Sequence, residues 1–123
     1  MLSFTLPIIA KLSSNQKKGS YYNYEKERAT SKTFGFWKAK EIIDMGIYEL
    51  DFSKNDRLSL TMIFYFADKR HRDLTNFAES QKYAIDGVFL ALKLDDSQID
   101  KVILLRGGVN KQDPHVILTI TKL

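Results

Sequence analysis

The sequence predicts an α+β fold, a small mixed β-sheet with two main helices packed on one face. Three observations lead there. Leu58–Phe66, LSLTMIFYF, is rich in aliphatic and aromatic residues and reads as the strongest strand in the chain. Residues 76–93 repeat apolar positions at helical spacing. The segments follow the order strand, helix, strand, helix, strand, strand, which suits helices layered on a sheet. With 123 residues the chain is expected to form one domain, 1–123, that buries its core without disulfides.

Taken in order, residues 3–8 alternate and predict a short strand, with Pro7 favouring an edge or an end. Residues 13–27 are polar and rich in turn formers, so they predict a loop. That loop interleaves Lys17, Lys18 and Lys26, with Arg28 just beyond, among Tyr21, Tyr22 and Tyr24. Cations next to stacking faces suit a DNA backbone and unstacked bases; a solvated loop with tyrosines packed on the domain is the competing reading. Ser31 or Thr33 is expected to cap a helix ending near Met45, with Gly46 as its stop. Phe36, Ala39 and Ile43 share its buried face, and Trp37 is assigned to the core. Residues 47–52 start a strand or link to the next, and Asn55-Asp56 turns the chain.

After the strong strand, residues 68–72 form a charged loop. Asn76 is expected to cap the next helix, with Glu79 three residues on as in a capping box. Phe77, Ala84, Ile85, Val88 and Leu92 form its buried stripe, and Glu79, Lys82 and Asp86 the opposite polar face. Gly87 inside this helix implies a close backbone approach or a break. Residues 99–105 and 116–121 predict two strands joined as an antiparallel hairpin through Gly107-Gly108 and residues 110–114.

There are no cysteines, which excludes disulfides, thiolate zinc sites and thiol catalysis and fits an intracellular, cytoplasmic location. No apolar run reaches the roughly 18 residues of a membrane span, and no signal segment is expected. The net charge of +4 is unevenly placed: +6 over residues 1–40, −4 over 41–68, +3 over 69–72, −4 over 73–100 and +3 over 101–123. A basic N-terminal third and the basic run Lys69-Arg70-His71-Arg72 thus flank acidic segments, one way to hold nucleic acid against bound metal.

The acids bound the second helix. Asp73 precedes it; Asp95 and Asp96 follow it. Carboxylates are the ligands Mg²⁺ prefers, and two or three of them commonly position that ion on a scissile phosphodiester. In order along the chain stand Asp73-Leu74-Thr75-Asn76, then Lys82 with Asp86, then Asp95-Asp96-Ser97-Gln98-Ile99. Upstream lie Leu6-Pro7 and Ser14-Asn15, and the chain closes on Leu118-Thr119-Ile120-Thr121. This set resembles the RusA family of Holliday-junction resolvases over most of the chain. The resemblance implies a homodimeric, Mg²⁺- or Mn²⁺-dependent endonuclease that cuts four-way or branched DNA. It implies Asp73 and Asp96 as metal ligands with Asp95 close by, and Lys82 against the scissile phosphate. Lys69, Arg70 and Arg72 would grip the backbone, with Asn76, Lys17 and Lys18 among the DNA-binding residues.

Two positions depart from the family pattern. Thr75 stands where a second Asp is expected, which weakens a metal site unless another acid, Glu79 nearest in sequence, compensates. Lys82 follows Asn76 by six residues where the family has three, and Glu79 fills the usual place. Helix geometry adds a further expectation. An 18-residue helix over 76–93 is about 27 Å long, so Asp73 and Asp96 would lie at opposite ends. Two helices packed antiparallel about a two-fold axis would join one chain's Asp73 to the other's Asp96; a break at Gly87 would close the site in one chain instead. The alternatives to a nuclease are a branched-DNA-binding dimer without catalysis and a small interaction protein.

Overall fold

In the computed structural model residues 1–8, 21–46 and 51–123 are described, residues 21–24 by their backbone alone. The elements are β1 (Leu2–Pro7), α1 (Tyr21–Met45), β2 (Leu58–Phe66), α2 (Leu74–Leu92), a 3₁₀ turn (Asp96–Gln98), β3 (Ile99–Val109) and β4 (His115–Lys122). Four strands make one mixed sheet in the order β1-β4-β2-β3. β4 runs antiparallel to both β1 and β2, while β3 runs parallel to β2. The α+β class is as expected. Lys17, Lys18, the Ser14-Asn15 pair, the polar segment through residue 20 and residues 47–50 lie outside the described residues, as do the side chains of Tyr21, Tyr22 and Tyr24.

Alternation places the core on one face of the sheet. Leu2, Phe4 and Leu6 pair with Ile120, Leu118 and Val116, which in turn pair with Leu60, Met62 and Phe64. All nine side chains are buried. Both helices close over this face. The opposite face carries Ser3, Thr61, Ile63, Tyr65, Ile117 and Thr119, all partly exposed; Ser3 and Thr119 hydrogen-bond across the pair at 3.0 Å.

The two helices touch through small residues. On α1 the buried positions Ser31, Gly35 and Ala39 recur every four residues, so they share one face. On α2 the matching face presents Ser80, Ala84 and Gly87, all buried. A Cβ built on Gly35 would sit 1.9 Å from the Ala84 carbonyl oxygen, and one on Gly87 would sit 1.9 Å from that of Lys32. The helix backbones are therefore in contact, and only glycine fits at both places.

Several expectations are corrected. The polar segment 21–30 is helical and belongs to α1, so neither Ser31 nor Thr33 caps it; its end is as expected, with Gly46 at φ +65°. Trp37 is 61% exposed rather than core, because the small-residue face turns it away from α2. Its ring packs edge-to-face with Phe36, with centroids 5.2 Å apart. The cap of α2 is Asp73, not Asn76. α2 continues unbroken through Gly87, which removes the folded-back arrangement and leaves the close approach. β3 and β4 do not form a hairpin: β2 lies between them. Residues 110–114 pass over the end of β2, where the Asn110 N–H donates to the Phe66 carbonyl at 2.8 Å. Crossing two strand spacings needs only about 10 Å, well within five residues. Gly107 and Gly108 belong to β3, not to a turn. Gly107 lies under the Tyr65 ring, where a Cβ would come within 2.6 Å.

Candidate functional site

α2 carries the predicted site residues, and its two ends differ in chemistry. At the N-terminal end, β2 delivers the chain into the loop 67–73. Asp68 organises that loop. Its carboxylate accepts from the Arg70 N–H at 2.9 Å and from the Arg72 guanidinium at 2.8 Å, with a further ion pair to Arg70 at 3.3 Å. The Arg72 hydrogen bond, then the Arg70 N–H, hold the Asp68 carboxyl down at about 2. Arg106, from β3, donates to the Arg72 carbonyl at 2.9 Å and to the Arg70 carbonyl at 3.4 Å. The Arg72 and Arg106 guanidiniums lie 4.8 and 5.2 Å from the centre of the Phe66 ring. Two stacked cations at one aromatic ring make a fixed basic surface rather than a floppy run. Lys69 stands beside it, exposed, with no carboxylate partner among the described residues. A shallow pocket of about 270 Å³ opens between Phe66, Lys69, Arg106 and Gly107–Val109. His71 is exposed in the same loop.

Asp73 ends this loop. Its Oδ1 accepts from the Thr75 N–H at 3.0 Å and from the Thr75 hydroxyl at 2.6 Å. These two bonds, hydroxyl first, hold its carboxyl below the ordinary range. Thr75 thus serves the cap of α2 and donates to Asp73, as a second Asp would not. Glu79 is exposed one turn further on, and Asn76 is partly exposed.

At the C-terminal end, Lys93 adopts φ 59° and turns the chain back. Asp95 then caps the 3₁₀ turn through the Ser97 N–H at 2.9 Å. Gln98 is buried, accepts from the Asp95 N–H at 2.9 Å, and donates to the carbonyls of Ser53 and Asp56, each at 2.9 Å. Within Asp-Asp-Ser-Gln, three residues therefore build the corner, and Asp95 is a cap whose carboxyl is lowered by that N–H. Asp96 is the one that turns toward Lys82. The Lys82 ammonium lies 3.3 Å from Asp86 and 3.7 Å from Asp96.

The structure therefore gathers Lys82, Asp86 and Asp96, and leaves Asp73 with Thr75 at the N-terminal end of α2, about 14 Å before Lys82 and about 20 Å before Asp86 by helical rise. Among the described residues no three of His, Cys, Asp and Glu meet in a group able to hold a metal ion. One chain alone does not fit Mg²⁺ or Mn²⁺. Asp68, Asp86 and Arg106 were not among the predicted site residues. The Lys82-to-Asp86 spacing signalled the second of them, but nothing local signals Arg106, which comes from another strand.

Compared with known proteins, the chain matches no family model and no curated sequence. Among the described residues no helix is long and apolar enough to cross a membrane.

Proposed function

We propose that this chain is a structure-specific endonuclease resembling RusA resolvases, acting on four-way or branched DNA as a homodimer with Mg²⁺ or Mn²⁺. The observation behind the reading is the meeting of Lys82, Asp86 and Asp96 around one ammonium, from positions spread over 15 residues of the motif. The cation surface of Lys69, Arg70, Arg72 and Arg106 supplies the phosphate contacts such a reaction needs. Lys82 is placed to share its charge with a phosphodiester as negative charge builds. The acids of one chain are too few and too far apart for a divalent ion, so the reading requires two chains, with Asp73 of one beside Asp96 of the other.

The test is cleavage of a labelled four-way junction against linear duplex, with Mg²⁺, Mn²⁺ or EDTA. Metal-dependent paired nicking of the junction supports the reading. Mixing the inactive variants Asp73→Asn and Asp96→Asn then separates the two site arrangements. With sites shared between chains, each heterodimer has one intact site and activity returns. With sites inside one chain, every site stays broken and the mixture remains inactive.

A second reading, a branched-DNA-binding dimer without catalysis, is favoured by one feature. Thr75 leaves a hydroxyl where a carboxylate is expected and engages Asp73 for the helix cap. Tight junction binding with no nicking in either metal would establish it.

A further inference from the structure

We infer that the β3 edge of the sheet is where two copies of this chain join, by antiparallel pairing of β3 with its partner's β3. The inference rests on the shared-site reading above. Among the described residues β3 is an outer strand of 11 residues, with no strand paired on one side of its backbone, and such an edge is a template for another strand. Its middle, Val102-Ile103-Leu104-Leu105, contains no charge to deter pairing. The core rows also run out here. Val102 lies in register with Leu60, and Leu104 with Met62, so both project on the core side of the sheet. Leu60 and Met62 are buried, yet Val102 is 54% exposed, and Leu105 on the other face is 47% exposed. The other outer strand, β1, has six residues and ends on Pro7, and no comparable aliphatic run lies open along it.

The consequence for the site follows from topology. α2 connects β2 to the parallel neighbour β3, so it runs opposite to both strands and lies toward the β3 side of the sheet. A two-fold axis through the β3 edge sets the two α2 helices side by side and antiparallel on the same face. Each Asp73, with its basic loop, then stands at the same end as the partner's acid corner. The charges match. Lys69, Arg70, Arg72 and Arg106 against Asp68, Asp73 and Glu79 leave a net +1; Asp86, Asp95 and Asp96 against Lys82 and Lys93 leave −1. Pairing through β1 would instead put the α2 helices on the outside and their ends far apart.

The full chain has no native cysteine, so single cysteines can be scanned along β3 at Val102, Ile103, Leu104 and Leu105, with Trp37→Cys on α1 as the control. Opposed Cα atoms in antiparallel pairs are about 4.5–5.5 Å apart, within disulfide reach. A two-fold axis places one residue opposite itself, so mild oxidation should give a covalent dimer with one maximum along β3 and none at Trp37→Cys. The double variant Val102→Lys/Leu105→Lys, at two exposed positions, should keep its circular dichroism. Its sedimenting mass should fall from twice 14.2 kDa to 14.2 kDa. A wild-type monomer at tens of micromolar would overturn the interface. So would a dimer that survives the lysines or cross-links best at Trp37→Cys. In that last case, junction cleavage and restored activity in the Asp73→Asn/Asp96→Asn mixture would leave the function standing. A β3-linked dimer that binds no junction DNA even at low salt would do the reverse.

Discussion

The two ends of α2 use the same residue types for different ends. At the N-terminal end, acids serve the backbone: Asp68 holds Arg70 and Arg72, and Asp73 caps the helix through Thr75. Their charge is spent locally, and the cations Lys69 and Arg106 are what the end presents. At the C-terminal end the cap work falls to Asp95 and Gln98, which frees Asp96 to face Lys82 with Asp86. Neighbouring carboxylates in one sequence motif therefore have opposite fates, decided by which of them an unpaired N–H reaches first. Toward the middle of α2, at Ala84 and Gly87 and so beside Lys82 and Asp86, its backbone rests on α1.

The largest expected effect comes from breaking that middle. Gly87→Ala forces a methyl to within 1.9 Å of the Lys32 carbonyl. It should destabilise the fold by about 3 kcal/mol, read as a lower denaturant midpoint with the slope unchanged. If it does not, the helices are not in backbone contact. The next tests weigh the ends against each other. Arg106→Ala and Lys69→Ala should each weaken junction binding and lower the salt slope by about one per lost phosphate contact. Lys82→Gln should leave affinity within about twofold, as a residue of the acid end, while removing cleavage; a loss of affinity equal to that of Arg106→Ala would erase the distinction between the ends.

The acid limb of the stability curve tests the first end further. The Asp68 carboxyl is depressed to about 2 in the fold, below its unfolded value of about 3.9. Its contribution is therefore full above about pH 4 and is lost as pH falls from about 4 to 2. Asp68→Asn should flatten the melting temperature against pH across that window. The smallest effect belongs to Thr75→Ala, which removes the hydroxyl donor and should raise the Asp73 carboxyl toward its ordinary value in an NMR titration, with little change in the fold.

The strands were legible where alternation was strict, as in β2, and α2 was legible from its large apolar stripe. α1 was legible only over its second half, for a physical reason. Its packed face is Ser31, Gly35 and Ala39, and close contact needs small residues, which leave no hydrophobic signature. A search for large side chains finds Phe36, which is half-buried, and Trp37, which is exposed, and of the expected face Phe36, Ala39 and Ile43 only Ala39 is fully buried. The parallel placement of β3 was hidden because a five-residue connection reads as a hairpin, and nothing in it says that it steps over β2. The site was legible as a list of residues but not as an arrangement. Asp73, Lys82, Asp95 and Asp96 stand out by type and spacing, whereas the division of Asp95 and Asp96 between cap and open face depends on Gln98 reaching Ser53 and Asp56 from 45 and 42 residues away.

The glycine crossing has a consequence for how such a chain can change. With Gly35 seated on the backbone of Ala84 and Gly87 on that of Lys32, α2 is locked in rotational phase as well as position. One residue added between Thr75 and Lys82 would turn everything before it by about 100° around the axis. The basic loop would then point away from the face that bears Lys82 and Asp86. Length changes tolerable to the helix are therefore those near whole turns, three or four residues at a time, and drift in this segment should come in such steps.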